Sequence, residues 1–67
     1  MLEIEKQRGF HLLFAVHLMG KWLVCYDDGK VWVKVGGPYE TLQGPGSAFE
    51  GMAMLRSQRA ADGIVMR

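Results

Sequence analysis

Trp22-Leu23-Val24-Cys25-Tyr26-Asp27-Asp28-Gly29-Lys30-Val31-Trp32-Val33-Lys34-Val35 reads as a β-hairpin that is apolar on both faces. Asp28-Gly29 is a dipeptide that accepts the positive φ angles of a two-residue type I′ turn. Such a turn pairs Asp27 with Lys30, Tyr26 with Val31, Cys25 with Trp32, Val24 with Val33, Leu23 with Lys34 and Trp22 with Val35. Side chains alternate along a strand, so Trp22, Val24, Tyr26, Val31, Val33 and Val35 share one face and form the expected core. Leu23, Cys25, Trp32 and Lys34 share the other. An exposed apolar cluster on a small protein marks a contact site, which makes Trp32 the residue to explain.

Upstream, Phe10, Leu12, Phe14, Val16 and Leu18 alternate with His11, Leu13, Ala15 and His17, and Gly9 and Gly20 flank the run. This pattern predicts a strand over 10–18. A three-residue Met19-Gly20-Lys21 loop pairs Leu18 with Trp22 and Phe14 with Tyr26, placing the Phe10 set on the core face. A two-residue loop instead moves that set onto the Trp32 face, because one step of slip inverts every side chain. The three-residue register is the expectation here. Leu2 and Ile4 alternate with Glu3 and Glu5, as in a short edge strand or a frayed lead-in.

Downstream, Gly36-Gly37-Pro38 is expected to end the sheet after Val35. Ser47-Ala48-Phe49-Glu50 then fits a capping box, predicting a helix near 48–61 that stops at Asp62-Gly63. Its inner side carries Ala48, Phe49, Met52, Leu55 and Ala60, and its outer side Glu50, Met54, Ser57 and Gln58. Ile64, Val65 and Met66 add a short strand or cover the core. The expected fold is α+β, a three-stranded antiparallel meander with one helix on one face, or four-stranded if a terminus contributes a strand.

The chain has 67 residues, a formal charge of +1 and one cysteine. A core of this size is marginal, and a single Cys25 excludes an internal disulfide, leaving a metal or self-association as the routes to added stability. An unpaired thiol fits a reducing cytosol, so the expected location is cytoplasmic. The run from Phe10 to Tyr26 is interrupted by His11, His17 and Lys21, lacks an A-x-A-like cleavage site and is too short and polar to span a bilayer, so neither a secretory leader nor a membrane span is expected. Near-neutral charge supplies no field for phosphate backbones or anionic membranes.

Catalytic constellations are missing. His11 and His17 lie roughly 20 Å apart along a strand at about 3.3 Å per residue, too far to share a metal. A diagonal His17 and Cys25 pair is too loose for a thiolate and its base. Asp27 and Asp28 are explained by the turn, and no glycine pattern matches a phosphate cradle. No enzyme activity, metal or cofactor is expected.

What remains is a protein-interaction module that binds a protein partner or itself. Its surface is Trp32, Leu23, Cys25, Leu13 and Ala15, rimmed by Lys21, Lys34 and the histidines His11 and His17, with Arg56 and Arg59 beside the apolar side of the helix. A compact domain without catalytic residues is the kind of product that phages and other mobile elements use to block host machinery. An inhibitor or regulatory protein, with a homodimer as one form of the contact, is therefore the expectation. The alternative is a small nucleic-acid-binding domain in which Trp32 stacks on a base and Lys21, Lys34, Arg56 or Arg59 meet phosphate.

Overall fold

Met19 and Gly20, with φ of 53° and 80°, form a two-residue turn that joins the first long hairpin. The computed structural model describes residues 3–5 and 12–62, the side chains of 59–62 excepted. Its elements are β1 (Glu3–Glu5), β2 (Leu13–Leu18), β3 (Lys21–Asp27), β4 (Trp32–Tyr39) and α1 (Ala48–Asp62). The strands form one antiparallel sheet in the order β1-β2-β3-β4, and α1 packs across β2, β3 and β4. The fold is thus an α+β meander with an edge strand from the N-terminal Glu3–Glu5 segment. Phe10 and His11 at the start of the expected first strand, and Ile64 to Met66, lie outside the described residues.

Positive φ at both turn residues gives a backbone twist that matches the strands on either side. Leu18 therefore pairs with Lys21, His17 with Trp22, Ala15 with Val24 and Phe14 with Cys25. This is one step from the expected three-residue register, and it inverts the face of every β2 side chain. Leu13 and Ala15 now face the helix, whereas Phe14, Val16 and Leu18 lie on the opposite side with Trp32.

The second hairpin also departs from the expected pairing, with a milder effect. Asp28 Oδ1 accepts from the backbone N–H groups of Lys30 and Val31 at 2.8 and 2.9 Å, and Asp27 Oδ1 accepts from Gly29 at 2.9 Å. The Asp28 N–H donates to the Val31 carbonyl at 3.3 Å, so Gly29-Lys30 forms the tip. Moving the tip by one residue shifts the register by two. Asp27 then faces Trp32, Tyr26 faces Val33 and Cys25 faces Lys34, and each residue keeps its predicted face.

The sheet does not stop at Val35. Irregular pairing lets β4 run through Gly36, Gly37 and Pro38 to Tyr39, which lies opposite Trp22. Gly37 adopts a φ of 102°, and a Cβ there would meet the Trp22 carbonyl oxygen at 2.8 Å, so the strand closes on β3 only with glycine at this position. Pro38 is tolerated because β4 is an edge strand.

Helix α1 begins at Ala48, as its capping signal requires. Ser47 Oγ accepts from the Glu50 N–H at 3.1 Å, while the Glu50 carboxylate takes the Gly46 N–H at 3.0 Å. Ala48 and Phe49 also donate to the carbonyls of Thr41 and Leu42 at 3.0 and 3.3 Å, which ties the loop to the helix start. Against the sheet, α1 buries Ala48 and Met52 on Leu13, Ala15 and Val24. Trp22, Tyr26, Val35, Tyr39, Leu42, Phe49 and Leu55 complete this core from its margins. Ala15 and Gly51 are the small residues that let the layers approach, and the Tyr39 ring lies directly against Gly51.

Candidate functional site

The face of the sheet away from the helix carries its own apolar cluster. Phe14, Val16 and Cys25 are buried there, with Leu23 packed against them. Strand alternation sets Ile4 beside Val16 and Leu18 beside Lys21 on this same face. Ile4 and Leu18 are exposed, and so is Trp32, at 51% of its surface. The Trp32 ring leans across β3 to meet Phe14 edge to face, with centroids 4.8 Å apart and planes at 76°. That contact fixes one side of the indole and leaves the other in solvent.

The predicted surface residues divide as follows. Trp32, Leu23 and Cys25 come together with Phe14. Lys34 stands opposite Cys25 and forms the polar margin at the β4 edge. Leu13 does not belong to this surface: the two-residue Met19-Gly20 turn rotates it into the helix-side core, where it is 4% exposed. Ala15 moves with it. Lys21 lies at the far end of β3 from Trp32 and pairs with Glu40. Arg56 is exposed on α1, across the sheet from Trp32, and Arg59 lies in the same helix with its side chain outside the described residues. Phe14, Val16, Ile4 and Leu18 are the members that the expected register placed elsewhere or left out.

Chemistry at this surface is quiet. Burial pushes the Cys25 thiol above its ordinary value, and the nearby Lys34 ammonium offsets part of that shift. A buried thiol of raised pKa holds little thiolate at neutral pH. His17 lies on the opposite face from Cys25, stacked on Trp22 with centroids 4.7 Å apart and bonded through Nδ1 to Glu3 at 2.8 Å. His17 and Cys25 therefore cannot act as a nucleophile and base pair. His11 lies outside the described residues. Among the described residues, no group of three or more His, Cys, Asp or Glu side chains is placed to hold a metal ion. No described helix is long and apolar enough to cross a membrane.

Asp28 accepts two backbone hydrogen bonds within its own turn. The N–H groups of Val31 and then Lys30 stabilise its ionised form and lower its pKa. Its role is to shape the loop that presents Trp32.

No protein-family model, curated protein or solved structure matches the chain. The surface itself supplies the ground for a functional reading.

Proposed function

We propose that the protein is a non-enzymatic interaction module that binds a protein partner or a second copy of itself through the helix-free face of its sheet, as an inhibitor or regulatory protein of the cytoplasm. The observation that carries this reading is Trp32, half exposed and propped edge-on against the buried Phe14. A tryptophan held in place from below presents a large contact area at little cost in side-chain entropy. Leu23 and Cys25 floor the site, Lys34 edges it, and Leu18 and Ile4 extend the apolar surface toward β1. An apolar centre with a polar rim is the layout of an interface hot spot.

Nucleic-acid binding through the same face has weaker support. Asp27 stands directly opposite Trp32 and Asp28 follows it, so a phosphate approaching the indole meets carboxylates. Of the four cations expected to meet phosphate, Lys21 is paired at the far end of β3 and Arg56 lies on the helix.

Trp32→Ala tests the reading. Hot-spot truncation costs about 2 kcal/mol or more, which is roughly a 30-fold loss of affinity for the contacting protein. Wild-type and variant proteins immobilised in parallel should differ in what they retain, with circular dichroism unchanged between them. Equal retention by a folded Trp32→Ala variant would remove Trp32 from the contact. A steep loss of binding with rising salt would favour nucleic acid instead.

A further inference from the structure

We propose that two copies of this chain join their sheets edge to edge through β4, antiparallel about a two-fold axis at Val33. The inference rests on reading the Trp32 surface as a contact surface, and it names a second copy as the occupant.

The outer edge of β4 has no strand partner among the described residues. The direction of its free backbone groups follows from β3. Asp27 donates its N–H to the Leu12 carbonyl at 2.9 Å, so its backbone turns toward β2. Asp27 and Trp32 are thus a pair without mutual hydrogen bonds, and Trp32 turns its own N–H and C=O outward. Two residues on, Lys34 does the same, while Val33 between them turns inward to Tyr26. Val31, Trp32 and Val33 are 59%, 51% and 41% exposed, an unbroken apolar run on an open edge. Such an edge is a template for another strand.

Self-pairing has one good register. In a continuous antiparallel sheet, residues directly opposite share a face, so a two-fold axis must pass beside a residue that meets its own copy. An axis at Trp32 sets Lys30 against Lys34, and an axis at Lys34 sets that lysine against itself; both oppose like charges. An axis at Val33 sets Val33 against Val33, Val31 against Val35, and Trp32 against Lys34 in both directions. The outward backbone groups of Trp32 and Lys34 then meet as hydrogen-bonded pairs. On the Phe14 side, each lysine lies along the indole of the other copy, an ammonium facing an electron-rich ring. The irregular pairing after Lys34, and Pro38 beyond it, confine the contact to residues 31–35. This register opposes no like charges and pairs the outward hydrogen-bonding groups of the strand.

Sedimentation equilibrium of the purified chain from about 10 μM to about 1 mM should show the 7.5 kDa species giving way to one of twice that mass. Val33→Lys and Val33→Glu each place a like charge on the axis, and each alone should raise the dissociation constant about tenfold or more. Mixed one to one, they should pair again, because only the axis residue faces its own counterpart. Lys34→Pro removes an outward N–H and spares the bonds to β3, so it should abolish the dimer while circular dichroism stays native. A wild-type chain monomeric throughout the range overturns the proposal, as does a dimer indifferent to all three variants or a mixture that fails to re-pair. If the wild type is monomeric while Trp32→Ala still loses a bound protein, self-pairing fails and the contact reading stands. If Trp32→Ala alters neither retention nor mass, the contact reading itself fails.

Discussion

Replacing Gly51 by alanine should destabilise this protein, although the same change in an exposed helix interior adds about 1 kcal/mol of stability through propensity. A Cβ at this position would lie 2.4 Å from the Tyr39 Oη, 2.7 Å from Cζ and 3.2 Å from Cε2. Comfortable contacts between such atoms are about 3.5 to 4.0 Å, so the ring must retreat by roughly 1 Å. The Oη also lies 3.1 Å from where a Gly36 Cβ would be, so the ring is seated between two glycines, Gly51 on the helix and Gly36 on the sheet. Overpacking of this kind costs about 1 to 3 kcal/mol, and a full ångström of overlap belongs near the top of that range. Subtracting the propensity gain leaves a net loss of about 2 kcal/mol, or roughly 10 °C in Tm for a domain of this size. Urea unfolding followed by tryptophan fluorescence measures it. The informative partner is Tyr39→Ala, in whose background Gly51→Ala should become stabilising by a few tenths to about 1 kcal/mol. Tyr39→Phe should rescue little, since the Cζ contact remains. A Gly51→Ala variant more stable than wild type, or a double-mutant cycle with no coupling, would refute the account of Tyr39 as the spacer between β4 and α1.

Three further measurements probe the two faces and the loop. Phe14→Ala should cost about 3 to 5 kcal/mol in a urea melt, and Trp22→Ala less, because Phe14 is 2% exposed whereas Trp22 is only half-buried; the reverse ranking would restore the three-residue register. The Asp28 pKa lies below its unfolded value, so its contribution is fully present above the ordinary 3.8 and is lost as pH falls through the folded value. Asp28→Asn keeps the acceptor oxygen without the charge, so thermal melts of the two proteins should differ near neutral pH and converge on acidification. Cys25 should react with iodoacetamide far more slowly than a free thiol at pH 7.5 and at ordinary speed in urea; fast native alkylation would show the cluster under Trp32 to be open.

Much of the fold was legible because local chemistry specified it. Ser47 and Glu50 mark a helix start by the hydrogen bonds they alone can make, and α1 begins there. The faces of β3 and β4 were legible too, since the expected and the observed turns both have two residues, and sliding a two-residue turn by one position shifts the register by two. The Met19-Gly20 turn was less so. Methionine seldom takes a positive φ, and nothing local required it to do so here. The course of β4 past Gly36 was hidden for a related reason, as glycine and proline end most strands and continue one only where neighbouring backbone fills the space.

Trp32 was therefore visible as an unusual residue from alternation alone, and its neighbours Leu23, Cys25 and Lys34 with it. Leu13 was misplaced and Phe14 missed through the same single slip. By itself, the amino-acid sequence determined the antiparallel meander of the three long strands, the helix and its cap, and the side of the hairpin on which Trp32 stands, all set by interactions within a few residues. Only the tertiary structure decided which face of β2 meets the helix. That choice is settled by how side-chain volumes fit between layers: Ala15 is small enough to admit Ala48 and Met52, and Phe14 is sent across the sheet to hold Trp32 in place.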